Sequence, residues 1–95
     1  MAAYVIAEVD VADAGLYEEY KKLVPATVQK YGGRFAVRGG KVESKEGGWK
    51  PGRIVVLEFP SMDQARKWYH SSEYAPALAM RLKAARARLI LVEGA

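Results

Sequence analysis

The sequence predicts an α+β fold in which a single antiparallel sheet carries its helices on one face. Segments 53–59 and 88–93 are apolar at consecutive positions, which is typical of strands covered on both faces. Two longer segments repeat apolar residues every three or four positions, as amphipathic helices do. These elements alternate along 95 residues without a repeat or a linker, so we expect one domain over residues 1–95.

The apolar strands also predict an assembly. Helices on one face cover only half of a sheet, and a chain of this length has no further element for the other face. An apolar sheet face left in water usually marks an interface. The simplest cover is a second copy of the chain, so we expect a two-fold homodimer with the open sheet faces packed together.

The first strand is predicted over residues 3–9, and Asp13 is expected to cap the helix that follows. Pro25 lies within this helix and lacks a backbone donor, so we expect a kink or a break there. Gly32 and Gly33 are expected to end the helix. Its predicted apolar stripe comprises Leu16, Tyr20, Leu23, Val24, Thr27, Val28 and Tyr31.

Two strands follow, over residues 34–39 and 53–59, and a glycine-punctuated arm over residues 39–52 joins them. Ser61 and Gln64 match a capping box, which predicts the start of a second helix. The buried side of this helix is expected to comprise Ala65, Trp68 and Tyr69.

The remaining segment predicts one more helix and one more strand. A break at residues 71–72 separates the second helix from a further helical segment. The predicted buried stripe of that segment comprises Tyr74, Leu78, Leu82 and Ala85. A last strand over residues 88–93 completes the order β-α-β-β-α-β, which is the ferredoxin-like plan. Right-handed crossovers then favour the strand order 4-1-3-2.

Side-chain alternation assigns the strand residues to the two faces of the sheet. The residues expected to face the helices are Val5, Ala7, Val9, Phe35, Val37, Val55, Leu57, Phe59, Leu89 and Leu91. The residues expected on the open face are Tyr4, Ile6, Glu8, Arg34, Ala36, Arg38, Ile54, Val56, Glu58, Arg88, Ile90 and Val92. The predicted opposing pairs are Arg34 with Glu58, Arg38 with Ile54, Glu8 with Arg88, and Ile6 with Ile90. The open face is thus expected to have an apolar centre edged by ion pairs.

The composition argues against several kinds of site. The chain has no cysteine, which excludes disulfides, thiolate zinc sites and cysteine nucleophiles. The first residues have no basic stretch and are interrupted by Glu8 and Asp10, so we expect neither a secretory signal nor a membrane span, and a cytoplasmic location. A net charge of +4 is spread along the chain, which argues against a nucleic-acid partner. No phosphate-loop, nucleophile-elbow or metal motif occurs, and we expect no cofactor.

Five stretches of the sequence fit one family pattern. They are residues 17–20, 32–40, 46–53, 57–61 and 68–74, which read YEEY, GGRFAVRGG, EGGWKPGR, LEFPS and WYHSSEY. Through them the chain resembles the family called domain of unknown function 1330, over essentially its whole length. The resemblance implies a dimeric α+β barrel, but it implies no particular reaction, because the family has no settled activity.

Arg38 is a candidate ligand-binding residue because of its surroundings in the sequence. Gly39 and Gly40 follow it and allow a ligand or another backbone to approach closely. A guanidinium group in such a place suits a carboxylate or a phosphate. The alternative is a structural arginine that pairs with Glu58, with Glu46 or with a carbonyl of a partner chain.

Segment 68–74 is dense in functional side chains at a predicted helix break. Tyr74 and Arg81 are seven residues apart and share one helix face, so together with Tyr69 they can hold a polar ligand. The alternative places them at the margin of the core with only their polar ends in water. His70 is expected at the periphery of this site, or as a favourable group at a helix C-terminus. No second ligand has a suitable spacing from it, so we expect no metal site.

Glu8 and Glu58 lie near the carboxyl ends of the two central strands, which we expect to run parallel, and on the same predicted face. Two carboxylates placed in this way can share a proton. We favour the alternative, in which each pairs with an arginine across the sheet. Trp49 on the arm is expected to be a clasp between the copies of a dimer, with a lid over a pocket as the alternative.

Two functions remain open at this point. The first is a small homodimer that binds a small anionic or carbonyl-bearing molecule between sheet and helices. Its candidate ligand-binding residues are Arg38, Tyr69, Tyr74, Arg81, His70 and Glu58. Cofactor-free oxygenases and isomerases use similar dimeric barrels, which is an analogy at the level of the fold. The second is a non-catalytic dimerisation or interaction module, in which these polar residues only satisfy one another. A closed pocket favours the first, and fully paired guanidinium groups favour the second.

Overall fold

Four strands form one antiparallel sheet in the computed structural model, which describes residues 1–95. The strands are β1 (Ala3–Val11), β2 (Arg34–Arg38), β3 (Arg53–Phe59) and β4 (Ala85–Glu93). Their order across the sheet is β2-β3-β1-β4, which is the predicted order counted from the other edge. The predicted ferredoxin-like α+β fold is therefore confirmed.

Three helices cover one face of the sheet: α1 (Ala14–Lys30), α2 (Met62–Tyr69) and α3 (Ala75–Ala84). Both predicted N-caps are present, since Leu16 N donates to Asp13 Oδ1 at 3.0 Å and Gln64 N donates to Ser61 Oγ at 3.2 Å. Helix α1 runs through Pro25 without interruption, so the prediction of a break there is wrong.

The buried stripe of α1 gains a residue and loses another relative to the prediction, and that of α3 is displaced by one position along the helix. In α1 the buried residues are Tyr17, Tyr20, Val24 and Val28, whereas Leu23 is 44% exposed. In α3 Leu82 is 67% exposed and Arg81 is only 6% exposed. Helix α3 turns Ala77, Arg81 and Ala84 inward, because the small alanines let it pack closely against α1. The predicted stripe through Leu82 is therefore wrong.

The register of the sheet agrees with the prediction at both edges. Glu8 opposes Arg88 between β1 and β4, and Arg34 opposes Glu58 between β2 and β3. Both pairs form the predicted ion pairs on the open face. Strands β1 and β3 are antiparallel, so the prediction that they run parallel is wrong, and Glu8 and Glu58 lie at opposite ends of the sheet. A proton shared between these two carboxylates is excluded by that distance along the strands.

A β-bulge at Ala36 changes the second half of β2. Beyond it the register shifts by one residue, so that Arg38 opposes Val55 instead of Ile54. Because successive side chains alternate between faces, this shift turns Val37 to the open face and Arg38 to the helix side. The prediction that Arg38 faces the open side is therefore wrong, and so is the placement of Val37 among the helices.

The core lies entirely between the sheet and the helices. Its largest fully buried side chains are Trp68, Tyr74 and Phe59. The opposite face of the sheet is uncovered, and Ile90 on it is 56% exposed. The Cα atoms extend over 35 × 35 × 16 Å, so the molecule is flat, and one of its broad sides is a solvent-exposed apolar sheet face.

Glu73 joins the end of α1 to the turn between α2 and α3. Lys30 Nζ and Tyr31 Oη both donate to its carboxylate, the latter at 2.7 Å. Hydrogen bonds from Lys30, and then from Tyr31, lower the pKa of Glu73 from 4.5 to about 2. This contact therefore links the end of α1 to the turn between α2 and α3, at the end of the helical layer away from the arm.

Glu73→Gln is expected to flatten the acid limb of the stability curve. A lowered folded-state pKa means that the folded protein binds fewer protons, so the stabilisation is complete above pH 4.5 and is lost as the pH falls towards 2. Urea unfolding of both proteins between pH 2.5 and 7 measures this difference, with the exposed, unpaired Glu93→Gln as the control. An unchanged acid slope in the Glu73 variant would contradict the assignment.

Candidate functional site

A cavity lies between the sheet and helices α1 and α3, with about 40 Å³ of space for the centres of water-sized molecules. That is room for about three waters, at roughly 10–15 Å³ for each. Apolar side chains of β1 and β3, together with Trp68 and Leu89, form most of its wall. Arg38 is exposed and Lys21 and Arg53 are partly exposed, so these cations mark its opening.

The polar groups of the lining are cations and phenols. They are Lys21, Arg38, Arg53, Arg81, Tyr17, Tyr20 and Tyr74. Seven ion pairs occur in the structure, and Arg34, Arg66 and Arg88 each take part in one. None of them includes Arg38, Arg53 or Arg81. The three arginines of the cavity thus lack a carboxylate partner, and outside the cavity only the exposed Arg86 lacks one as well.

Arg81 is the innermost of these cations. It projects from α3 with 6% of its surface exposed, and its Nε donates to Tyr74 Oη at 3.5 Å. Burial opposes its charge, and its hydrogen-bond partner is a hydroxyl instead of a carboxylate. Arg81 nevertheless stays charged at physiological pH, because a guanidinium keeps its proton there. A buried charge without a counter-ion lowers the stability of the folded protein. Its presence therefore points to a binding role more strongly than an exposed charge does.

Tyr74 is held from two sides. Its hydroxyl lies 2.8 Å from Tyr20 Oη, and its backbone N–H donates to Ser71 Oγ at 3.0 Å. The Ser71 hydroxyl donates to Trp68 O at 2.7 Å, which ties the start of α3 to the end of α2. The Tyr74 ring packs on Trp68 with 4.2 Å between the ring centroids. Burial raises the pKa of Tyr20, so its phenol is neutral at physiological pH.

Arg38 is anchored by a consequence of Pro25. The carbonyl of Lys21 would accept a helix hydrogen bond from residue 25, but proline has no N–H to donate. Arg38 Nη2 donates to Lys21 O instead, at 2.8 Å, and its guanidinium lies 4.3 Å from the centre of the Phe35 ring. The alternative partners Glu58 and Glu46 are not used. The bulge and the proline together aim Arg38 at the opening of the cavity.

Pro25→Ala is expected to release Arg38 from this anchor. The variant should be more stable by about 1–2 kcal/mol, because α1 regains its hydrogen bond and loses a steric clash. Arg38→Ala should cost about 1 kcal/mol in the wild-type protein and almost nothing in the Pro25→Ala background. Urea unfolding of the four proteins in this double-mutant cycle measures the coupling. If Arg38→Ala lowers the free energy of unfolding equally in both backgrounds, Arg38 and Pro25 are not coupled in this way.

Arg53 is a site residue that the sequence reasoning missed. It precedes Val55 by two positions and therefore shares its face, a signal that was available in the alternation. Its guanidinium lies 5.8 Å from the Tyr17 ring and is packed against Gly39, where any side chain would collide with it. Arg53 Nε is buried and has no hydrogen-bond acceptor. Glu18 bonds to Lys21 at 2.9 Å and not to Arg53.

Three of the six predicted ligand-binding residues lie together in the cavity: Arg38, Tyr74 and Arg81. The other three lie elsewhere. The Tyr69 ring packs at 6.2 Å from Trp68 outside the lining, and His70 caps the end of α2 with its ring edge-on to Tyr69. Glu58 is on the opposite face of the sheet and accepts from Arg34 Nη2 at 2.6 Å.

The arm between β2 and β3 contacts the open face through Glu8. Trp49 Nε1 and Gly52 N donate to Glu8 Oε2 at 3.3 and 3.2 Å, and Arg88 Nε donates to Oε1 at 3.0 Å. The hydrogen bond from Arg88 is the main cause that lowers the pKa of Glu8. Trp49 lies at the margin of the open face and is 55% exposed, which is compatible with the predicted clasp and places it away from the cavity lining.

No group of three or more histidine, cysteine, aspartate or glutamate side chains is arranged to hold a metal ion. No helix combines the length and the hydropathy needed to span a membrane.

The comparisons with known proteins agree on family and fold. A family model described as Domain of unknown function (DUF1330) matches residues 2–95. No curated protein matches the chain significantly. A solved protein of unknown function from Rhodopseudomonas palustris is 17% identical with a TM-score of 0.75, over 99% of this chain and 82% of that one.

Two other solved structures are informative. A dimeric ferredoxin-like protein of unknown function from a Jannaschia species has a TM-score of 0.72 at 11% identity, over 99% of this chain and 100% of its own. SnoaB, a cofactor-independent oxygenase from Streptomyces nogalater, has a TM-score of 0.67 at 13% identity, over 99% of this chain and 93% of that one. At such identities these similarities establish the fold alone.

Proposed function

The chain belongs to the family described as domain of unknown function DUF1330, and we propose that it binds a small anionic or carbonyl-bearing molecule in the cavity between the sheet and helices α1 and α3. Arg38, Arg53 and Arg81 hold this molecule, and Tyr74 contributes a hydroxyl. Tyr69 and His70 lie outside the cavity lining and take no part in the proposed binding.

One observation carries this proposal. Three guanidinium groups line a single cavity, and none of them has a carboxylate partner. Guanidinium groups are suited to planar anions, to which they donate two hydrogen bonds at once. In an interaction module, these arginines would be expected to pair with acidic residues of the chain, as Arg34 and Arg88 do on the other face. An anion that enters the cavity supplies the missing partner.

The binding unit we propose is a cytoplasmic homodimer, closed through the open sheet face. Ile6, Val37, Ile90 and Val92 are apolar and between 37% and 56% exposed on this face. The ion pairs Glu8–Arg88 and Arg34–Glu58 flank them. The Jannaschia neighbour with the same fold is dimeric. The SnoaB neighbour acts without a cofactor, but the proposal for this chain is binding alone.

A thermal-shift titration tests this function. The probes are small carboxylates, inorganic phosphate and small carbonyl compounds, each titrated at constant ionic strength. A ligand at about 100 times its Kd stabilises the folded state by about 2.7 kcal/mol, so a binder raises the melting temperature with concentration. Arg38→Ala is expected to weaken the affinity for the ligand about tenfold or more, so that the same ligand concentration raises the melting temperature less.

Arg34→Ala is the matched control, because it removes an arginine of the same charge from the other face of the sheet. We expect it to retain the full response to the ligand. If no probe stabilises the protein, or if both variants lose the response equally, the cavity does not bind anions. The interaction module would then be the better account.

A further inference from the structure

The cavity offers many hydrogen-bond donors and almost no acceptors. Its lining contains no carboxylate, no side-chain amide, no histidine and no aliphatic hydroxyl. Its ionisable groups, Arg38, Arg53, Arg81 and Lys21, only donate. The carbonyl of Lys21 already accepts from Arg38, and the strand carbonyls of the wall are engaged in the sheet. Only the phenol oxygens can accept anything from a ligand.

The hydroxyls of Tyr20 and Tyr74 leave one hydrogen for the ligand. Their oxygens lie 2.8 Å apart and either one can donate to the other, so only one of the two hydroxyl hydrogens is used between them. We take Tyr20 as the donor, because the Tyr74 oxygen already accepts from Arg81 Nε, at 3.5 Å. The Tyr74 hydrogen is then left for a third partner. The rest of the lining is apolar or donates, so this partner is an acceptor brought by the ligand.

From this arrangement we propose that the ligand is a short oxo acid, a carboxylate whose neighbouring carbon carries a carbonyl group. The proposal rests on the proposed function and specifies its ligand class. All three oxygens of an oxo acid are acceptors, so the carboxylate binds the guanidinium groups while the carbonyl accepts from Tyr74. A simple carboxylate lacks this carbonyl and leaves the Tyr74 hydrogen without a partner. An unpaired buried donor weakens binding, so the simple carboxylate should bind less tightly.

The size and the positive charge of the cavity restrict the class of ligand further. A cavity for about three water molecules, with an open end towards Arg38, takes an acid of roughly two to four carbons. An amino acid of the same skeleton brings an ammonium group among guanidinium groups and lacks the carbonyl, so repulsion is added to a lost hydrogen bond. A hydroxy acid can accept from Tyr74 through its hydroxyl oxygen, but it also brings a hydrogen for which the lining offers only phenol oxygens as acceptors.

A series of acids with one skeleton tests this selectivity. We propose calorimetric titration of the wild-type protein with pyruvate, lactate, propionate and alanine. Pyruvate is expected to bind about tenfold more tightly than lactate or propionate, and on the order of a hundredfold more tightly than alanine. Tyr74→Phe should bind pyruvate and propionate equally. Tyr69→Phe loses the same hydroxyl one turn away, outside the lining, and should keep the wild-type order.

The outcomes separate the two proposals. If lactate or propionate binds as tightly as pyruvate, or if Tyr74→Phe keeps the preference, the oxo-acid inference is wrong while anion binding stands. If none of the four acids binds and phosphate also fails, the proposed function is wrong and this inference with it. Circular dichroism of Tyr74→Phe shows that the variant is folded before its affinities are compared.

Discussion

Arg81→Met is expected to stabilise the empty protein and to abolish ligand binding. The guanidinium is 6% exposed, has no carboxylate partner and makes only one long hydrogen bond, to Tyr74. Replacing such a group by an apolar side chain of similar length should raise stability by about 1–3 kcal/mol. In a domain of this size, that corresponds to a melting temperature higher by roughly 5–15 °C.

This gain should come at the expense of function, as is common when a binding site stores an unfavourable charge. Urea unfolding at a fixed protein concentration measures the stability, and calorimetry with the best acid measures the binding. Arg66→Met on the exposed side of α2 is the control, and it should change stability by less than about 0.5 kcal/mol. A destabilised Arg81→Met protein would show that the folded chain itself satisfies this guanidinium.

Ile90→Asp is expected to convert the proposed dimer to a folded monomer. Ile90 lies at the apolar centre of the open face, opposite Ile6, and is 56% exposed in the single chain. A two-fold interface would bury the new carboxylate twice, at a cost of about 2 kcal/mol or more for each copy. The dissociation constant should therefore increase by about three orders of magnitude.

Leu82→Asp is the matched control for the assembly. Leu82 is even more exposed, at 67%, but it lies on the helical side, so this variant should remain dimeric. Sedimentation velocity across a range of concentrations gives the oligomeric state of both. A dimeric Ile90→Asp protein would mean that the open face is not the interface.

The hydrophobic pattern of the sequence was sufficient to predict the order of elements, the strand order and both ion-paired registers. These features depend on alternation over whole strands, which is strongly constrained when one face is buried. The position of Arg38 could not be predicted in the same way. Nothing in the residues around Ala36 marks a bulge, and one inserted residue reverses the face of every side chain beyond it.

The candidate site was only partly predictable for related reasons. Tyr74 can share a helical stripe with either Arg81 or Leu82, and the choice depends on how closely α3 approaches α1. Pro25 was expected to kink or break α1, but the helix continues through it, and Arg38 replaces the missing donor. Alternation along β3 places Arg53 on the same face as Val55, so its position was predictable. It was not assigned to the site, because a charged residue at a strand end usually lies in solvent.

The central claim is that the arginines of the cavity, and not arginines in general, bind a small acid. Nuclear magnetic resonance of the arginine Nε–H groups during a titration with pyruvate tests it most directly. The signals of Arg38, Arg53 and Arg81 are expected to shift and saturate together, while those of Arg34 and Arg88, which are paired with Glu58 and Glu8, stay in place. Equal shifts of all five signals without saturation, or no shift at the three cavity arginines, would contradict the account.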